Sequence, residues 1–240
     1  MLKKRLVFTL LFDGTGFVLS RNFRLQKVGD LSWLQRNYNF ENTARSIDEL
    51  IILNVSREKL SQTVFAEVIR NLTRRCFVPI SAGGGICSAD DAGLLLKSGA
   101  DKVVVNSLII DNYEVIQQIA RRFGKQCIVA SVDVKRMQNG VFAQFINSGR
   151  SQLEESPSAI IERIDNGLFG EIYLNSIDRD GTGQGYDMET LNLLPANFSK
   201  PVILAGGVGN SGHIDIGLRD KRVDAVATIS GVSVSKLVLV

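Results

Sequence analysis

Eight short apolar runs, each followed by a longer amphipathic stretch, recur along the 240 residues of the chain. The runs are Leu6–Phe12, Glu49–Asn54, Val78–Ala82, Lys102–Asn106, Gln126–Val132, Glu171–Asn175, Pro201–Ala205 and Asp224–Thr228. They are rich in Val, Ile and Leu and show little polar alternation, the pattern of parallel strands covered on both faces. Helix-like segments lie between them, at 31–45, 58–74, 89–98, 112–123, 156–168, 187–193 and 211–219. Alternating strand and helix predicts a parallel sheet. Eight such units in this length predict one closed (βα)8 barrel, with an open doubly wound sheet as the competing architecture.

An internal repeat favours the barrel. Displaced by about 122 residues, Asp48-Glu49-Leu50-Ile51-Ile52-Leu53 falls on Gly170-Glu171-Ile172-Tyr173-Leu174-Asn175. Gly84-Gly85 falls on Gly206-Gly207, each pair a few residues after a proline, and the run Asp101–Ser107 falls near Asp224–Ser230. The chain therefore reads as one domain over 1–240, with half-barrels at about 1–122 and 123–240. After the eighth run only Ser230–Val240 remain, so the last helix reads as truncated, or its apolar tail packs against something else.

A content of 45% hydrophobic and 22% charged residues can fill such a core. The net charge of +3 is too small an excess to argue for nucleic acid. Three dispersed cysteines with no CxxC pattern argue against both a disulfide framework and a zinc site, and point to a reducing, cytoplasmic setting. His213 is the single histidine, which nearly excludes Ser-His-Asp catalysis and multi-histidine metal sites; no metal and no cofactor are expected. No apolar run reaches membrane length. The start resembles a signal peptide only faintly, because Asp13-Gly14 stands where a cleavage site belongs, and a buried first strand explains it better.

In a barrel, chemistry sits at the carboxyl ends of the strands. Gly83-Gly84-Gly85 follows the third run, and Ser107 adds a hydroxyl beside Asn106 after the fourth. Gly206-Gly207 and Ser230 repeat the arrangement after the seventh and eighth. Glycine-freed N–H groups suit phosphate, and two such clusters imply a ligand with a phosphate at each end; a single cluster reads equally well as a tight turn. Asp133, after the fifth run, is the candidate general acid or base; as a plain helix cap or ion pair it would instead face Lys135 or Arg136. Its mate, about 122 residues earlier, is Leu11, so a second carboxylate across the mouth is missing. Asp13 lies nearby, and Asp178 and Asp180 are alternative acids in a loop where Asp180-Gly181-Thr182 also suits phosphate or a plain turn. Arg5, Glu49, Lys102 and Glu171 start four strands and predict a salt-bridged ring at the opposite face, either a stabilising plug or a gate for a small molecule.

These residues resemble the HisF family, the cyclase subunit of imidazole glycerol phosphate synthase. The resemblance rests on Met1-Leu2-x-Lys4-Arg5, Asn22-Phe23, Gly83-Gly84-Gly85-Ile86, Gly99-Ala100-Asp101-Lys102-Val103, Asn106-Ser107, Val132-Asp133-x-Lys135-Arg136, Ser176–Thr182 and Gly185-Tyr186-Asp187. It implies a bisphosphorylated ribonucleotide substrate, and ammonia delivered by a glutaminase docked on the N-terminal face through a gate at Arg5, Glu49, Lys102 and Glu171. Asp133 matches one of the family's two catalytic aspartates and Leu11 replaces the other. Leu19 or Ser20 stands where a substrate-binding lysine is usual, and Asn54 replaces an aspartate. These departures resemble the HisF paralogues of surface-polysaccharide and flagellin-glycan synthesis, which work with a glutaminase and a separate amidotransferase to make an amidino sugar. The resemblance thus implies ammonia conduction for amidino-sugar synthesis, with an authentic histidine-pathway cyclase and a non-catalytic phosphate-ligand barrel as the other readings.

Overall fold

The computed structural model describes residues 3–38, 46–56 and 61–229. Eight parallel strands close on themselves: β1 (Arg5–Phe12), β4 (Glu49–Asn54), β5 (Ile80–Gly83), β6 (Lys102–Val105), β7 (Ile128–Arg136), β10 (Glu171–Ser176), β11 (Val202–Ala205) and β12 (Ala225–Ile229). Each pairs with the next, and β12 pairs back onto β1 with Arg5 opposite Ala225. The barrel expectation holds, and the open sheet is excluded by that last pairing.

Helices α1 (Leu31–Tyr38), α2 (Gln62–Thr73), α3 (Ala89–Lys97), α4 (Leu108–Asp111), α5 (Tyr113–Phe123), α6 (Pro157–Asn166) and α7 (Ser211–Arg219) complete the described helical set. Their starts are written locally. Ser61, Ser88, Asn112, Ser156 and Asn210 each accept a first-turn backbone N–H through the side chain. His213 belongs to the last of these caps, its Nδ1 accepting the Gly209 N–H at 3.1 Å, a structural role.

Strand alternation sorts the core into two compartments. Outward residues such as Phe8, Leu50, Val103, Ile128, Ile172 and Leu204 pack under the helices. Inward Val7, Ile51, Val104, Val129, Tyr173, Ile203, Ala205, Ala225 and Ala227 fill the barrel. Three aspartates lock the amino ends by one repeated device. Asp48, Asp101 and Asp224 stand just before β4, β6 and β12, and accept the backbone N–H of Leu6, Ile80 and Val202 in the preceding barrel strand at 2.8–2.9 Å.

Several boundaries move. Lys125–Cys127 is a 3-10 turn, so β7 starts later than expected and runs to Arg136, which puts Asp133 inside the strand. The stretch at 187–193 forms a 3-10 helix, Met188–Leu193. Of the segment expected at 31–45, residues 39–45 lie outside the described residues, as does the tail 230–240 with Ser230.

Two antiparallel hairpins were not anticipated. After β1, β2 (Phe17–Arg21) and β3 (Arg24–Gly29) turn at Asn22-Phe23; after β7, β8 (Phe142–Ile146) and β9 (Ser151–Gln152) turn at 147–150. Asn22 and Phe23 both take positive φ, 50° and 63°, as a two-residue hairpin of matching twist requires. The β7 extension is the part that pairs with β8, Asp133 opposite Phe145. That pairing explains why β7 outruns the apolar run read from sequence.

Candidate functional site: the barrel mouth and the charged ring

A cavity of about 800 Å³ opens at the carboxyl ends of the strands, with both hairpins on its rim. Inward alternation continues from the core into it. Leu11, Leu53 and Val104 form an apolar side, and Ser131, Asp133, Tyr173 and Asn175 form a polar one. Asp133 and Asn175 are direct register partners on β7 and β10. Asn175 Nδ2 donates to Asp133 Oδ1 at 3.0 Å, and Asn106 Nδ2 donates to Oδ2 at 3.2 Å. Burial pushes the Asp133 carboxyl up to about 7; the Asn175 hydrogen bond works against that rise, and the Asp180 carboxylate adds to it. An acid poised there can give or take a proton at neutral pH. Leu11 faces the same cavity 5% exposed, so no second carboxylate stands opposite from β1.

The alternative acids take other positions. Asp13 does not line the cavity; it caps the turn into β2, accepting from Thr15 N, Thr15 Oγ1 and Gly16 N. Burial works against its charge, but those bonds hold it below the usual carboxylate range. Asp178 also stays out of the lining and accepts the Arg136 backbone N–H at 2.7 Å. Asp180 lines the cavity but is engaged: its Oδ2 accepts from Ser20 Oγ and from the Phe23 N–H, and its carbonyl accepts from Asn22 N. Burial raises its carboxyl against those two bonds. The residue thereby pins the first hairpin across the mouth. Gly181, at φ 65°, permits the approach, because a Cβ there would meet the Ser20 carbonyl.

The glycine clusters divide. Gly84 and Gly85, at φ 97° and 70°, line the cavity together with Asn106 and Ser107. A Cβ on Gly84 would collide with the Asn54 carbonyl, and Gln62 Nε2 donates to the Gly84 carbonyl at 3.0 Å. Gly84→Ala is therefore expected to cost about 2–4 kcal/mol, from left-handed strain plus the collision. Urea denaturation reads this directly, and an unchanged midpoint would refute the fit. Gly206 and Gly207 sit at the end of β11, and Gly207 accepts the Gly185 N–H at 2.7 Å. Neither lines the described cavity, and Ser230, grouped with them from the sequence, lies outside the described residues.

At the amino ends the four charges do meet. Glu49 accepts from Arg5 at 2.7 Å, from Lys102 at 3.1 Å and from Ser81 Oγ at 2.8 Å. Glu171 accepts from Arg5, and from Lys102 at 2.9 Å. Burial opposes the charge on Arg5 and Lys102, yet the two glutamates outweigh it and hold both cations above their ordinary values. The ring is neutral in sum. Above it, between ring and cavity, lie the inward apolar residues and Tyr173, whose hydroxyl lies 3.4 Å from Thr9 Oγ1.

Sequence reasoning missed Asn175, Ser131 and Tyr173 as site residues. A period of two counted back from Asp133 reaches Ser131, and counted on from Glu171 reaches Tyr173 and Asn175. Arg150, which lines the cavity from the second hairpin, was missed because nothing local marks that hairpin as part of the mouth. Among the described residues no group of His, Cys, Asp and Glu could hold a metal ion, and no helix is long and apolar enough to cross a membrane.

The chain is thus a closed (βα)8 barrel with a cavity at the carboxyl ends of its strands and a ring of ion pairs at the amino ends. The chain belongs to the family described as histidine biosynthesis protein, which matches residues 25–231. It is 46% identical over 228 residues to a protein of Parasynechococcus marenigrum provisionally named imidazole glycerol phosphate synthase subunit hisF2, covering 95% of this chain and 84% of that one. It is 37% identical to the imidazole glycerol phosphate synthase subunit HisF of Helicobacter hepaticus, covering 87% and 82%. A Campylobacter jejuni protein, also provisionally named hisF2, is 36% identical over 87% of this chain and 81% of its own.

Proposed function

We propose that the chain is a HisF-type synthase subunit that pairs with a glutaminase on its N-terminal face. It conducts ammonia through the barrel to a phosphorylated ligand in the mouth, for amidino-sugar synthesis of the surface-glycan kind, where a separate amidotransferase completes the transfer. The observation that carries this reading is an asymmetry. The ring of Arg5, Glu49, Lys102 and Glu171 is complete, while of the two buried carboxylates lining the mouth Asp180 fastens the first hairpin and Asp133 stands without a mate on β1, where Leu11 lines the cavity. A ring kept intact beneath a mouth short of one carboxylate favours delivering ammonia over closing an imidazole. Losing a general acid or base costs about 10²–10⁴ in rate. The support for a phosphorylated ligand is the grouping of Gly84, Gly85, Asn106 and Ser107 along one wall.

A histidine-pathway cyclase is the second reading, favoured by one feature: the Asp133 carboxyl near 7 is matched to proton transfer. The purified chain, given the family's cyclase substrate and excess ammonium salt at mildly alkaline pH without glutaminase, separates the two. The proposal expects bound substrate and no imidazole product. Product formation would establish the cyclase and overturn the proposal.

A further inference from the structure

We propose that Arg150, held together with Asn147 and Ser107 at one end of the cavity, anchors a phosphate monoester of the ligand. The inference rests on reading the mouth as a site for a phosphorylated ligand. Among the described lining residues, three carboxylates (Asp111, Asp133 and Asp180) share the cavity with one cation, Arg150. Its Nε–H donates to the Asn147 carbonyl at 2.9 Å, which sets the plane of the guanidinium. Both Nη nitrogens are left without a partner among the described residues. The Asn147 side chain ties this group to the neighbouring wall after β6, its Oδ1 accepting from Ser107 Oγ at 3.3 Å, while its Nδ2 donates within the hairpin to Ser151 Oγ at 3.2 Å. A free guanidinium fork and a hydroxyl therefore flank one asparagine.

The backbone beneath is built for this placement. Asn147, Ser148 and Gly149 are successive left-handed residues, at φ 55°, 57° and 75°. The Arg150 N–H closes the turn onto the Ile146 carbonyl at 3.2 Å. Two non-glycine residues held in that region are strained, and such strain gathers where function demands a geometry. Gly149 lies against the Phe23 ring, too close for a Cβ, so the second hairpin is braced on the first. The turn returns Arg150 to the cavity rim. A guanidinium fork matches two oxygens of a phosphate, which a sugar hydroxyl cannot satisfy. The cation also orients the ligand, with its phosphate at Arg150 and its reacting end toward Asp133.

Isothermal titration of the full chain with ribose 5-phosphate, ribose and ribonate tests this. Ribose 5-phosphate should bind the parent protein in preference to the other two, more weakly as salt rises. Arg150→Gln should weaken ribose 5-phosphate by about 10–100-fold, the scale of a lost charge-assisted pair, and Arg150→Lys should restore part of it. Arg150 is exposed, so neither variant threatens folding. Arg150→Gln binding like the parent overturns the role of Arg150 and leaves the phosphorylated-ligand reading standing. Ribonate binding as well as ribose 5-phosphate overturns the phosphate assignment. No preference of the parent for ribose 5-phosphate over ribose overturns both the anchor and the reading of the mouth on which it rests.

Discussion

At pH 8 the Asp133→Asn variant is expected to be more stable than the parent protein by about 3 kcal/mol, while losing the buried carboxyl of the mouth that is not tied to a hairpin. The carboxyl titrates near 7 in the folded chain against an ordinary 3.8. The unfolded chain therefore gives up this proton first, and stability contributed by the group falls as pH rises from about 4 to about 7. At 1.36 kcal/mol for each pH unit the full cost above pH 7 is about 4 kcal/mol. Asparagine carries no such cost but turns an amide toward one of two donors, Asn106 or Asn175, which returns about 1 kcal/mol. In melting temperature the gain is roughly 6–12 °C for a chain of this size. Thermal denaturation at pH 4.5, 6 and 8 shows it as a gap that widens with pH. Parallel curves for parent and variant would mean that the native site holds the anion without penalty. A residue whose removal stabilises the fold is kept for its chemistry.

The second large effect lies at the other end of the barrel. Glu171→Ala leaves Arg5 and Lys102 sharing Glu49 alone, in a layer where the glutamate side chains are 3% and 5% exposed. Removing one partner of a fully buried ionic network costs about 3–5 kcal/mol; Arg5 and Lys102, left sharing one carboxylate, are 24% and 23% exposed, so the loss falls at the low end, about 3 kcal/mol. Replacing all four, with Met for Arg5 and Lys102 and Leu for Glu49 and Glu171, should recover most of that loss, since apolar groups of similar size repack such a layer. Urea denaturation of the single and quadruple variants gives the comparison. Should the quadruple variant prove as unstable as the sum of four single losses, the ring is a structural plug that the fold requires. Recovery instead marks it as retained for passage. The cations are held above their ordinary values, so the contribution of Lys102 is complete below its unfolded value of 10.5 and fades as the pH climbs beyond its folded one.

How much was readable in advance differs from element to element. β4 appears at Glu49–Asn54 as the apolar run predicts, because both faces of a parallel strand are covered and the run needs no alternation to be seen. The ring was readable as four charges at strand starts, since the amino end of an apolar strand is where a charge can reach the rim. Asp133 was found, but as a residue after its strand. β7 extends through Arg136 because β8 hydrogen-bonds to it, a contact between segments that no local pattern announces. The hairpins were overlooked for a related reason: the turn at Asn22-Phe23 carries a weak signal, and the N–H of Phe23, at φ 63°, is received by Asp180, far along the chain.

The periodicity of apolar residues, the repeat and the charges at strand starts thus settle the barrel, its two ends and the residue types at each, because these follow from alternation and burial along one stretch of chain. Which partners each acid takes follows from packing. Asp133, Asp178 and Asp180 are equivalent as letters. One is buried between two asparagine amides, one is bonded to the backbone of Arg136, and one fastens a hairpin. Desolvation and hydrogen bonding decide among them, and both depend on atoms supplied by strands distant in sequence.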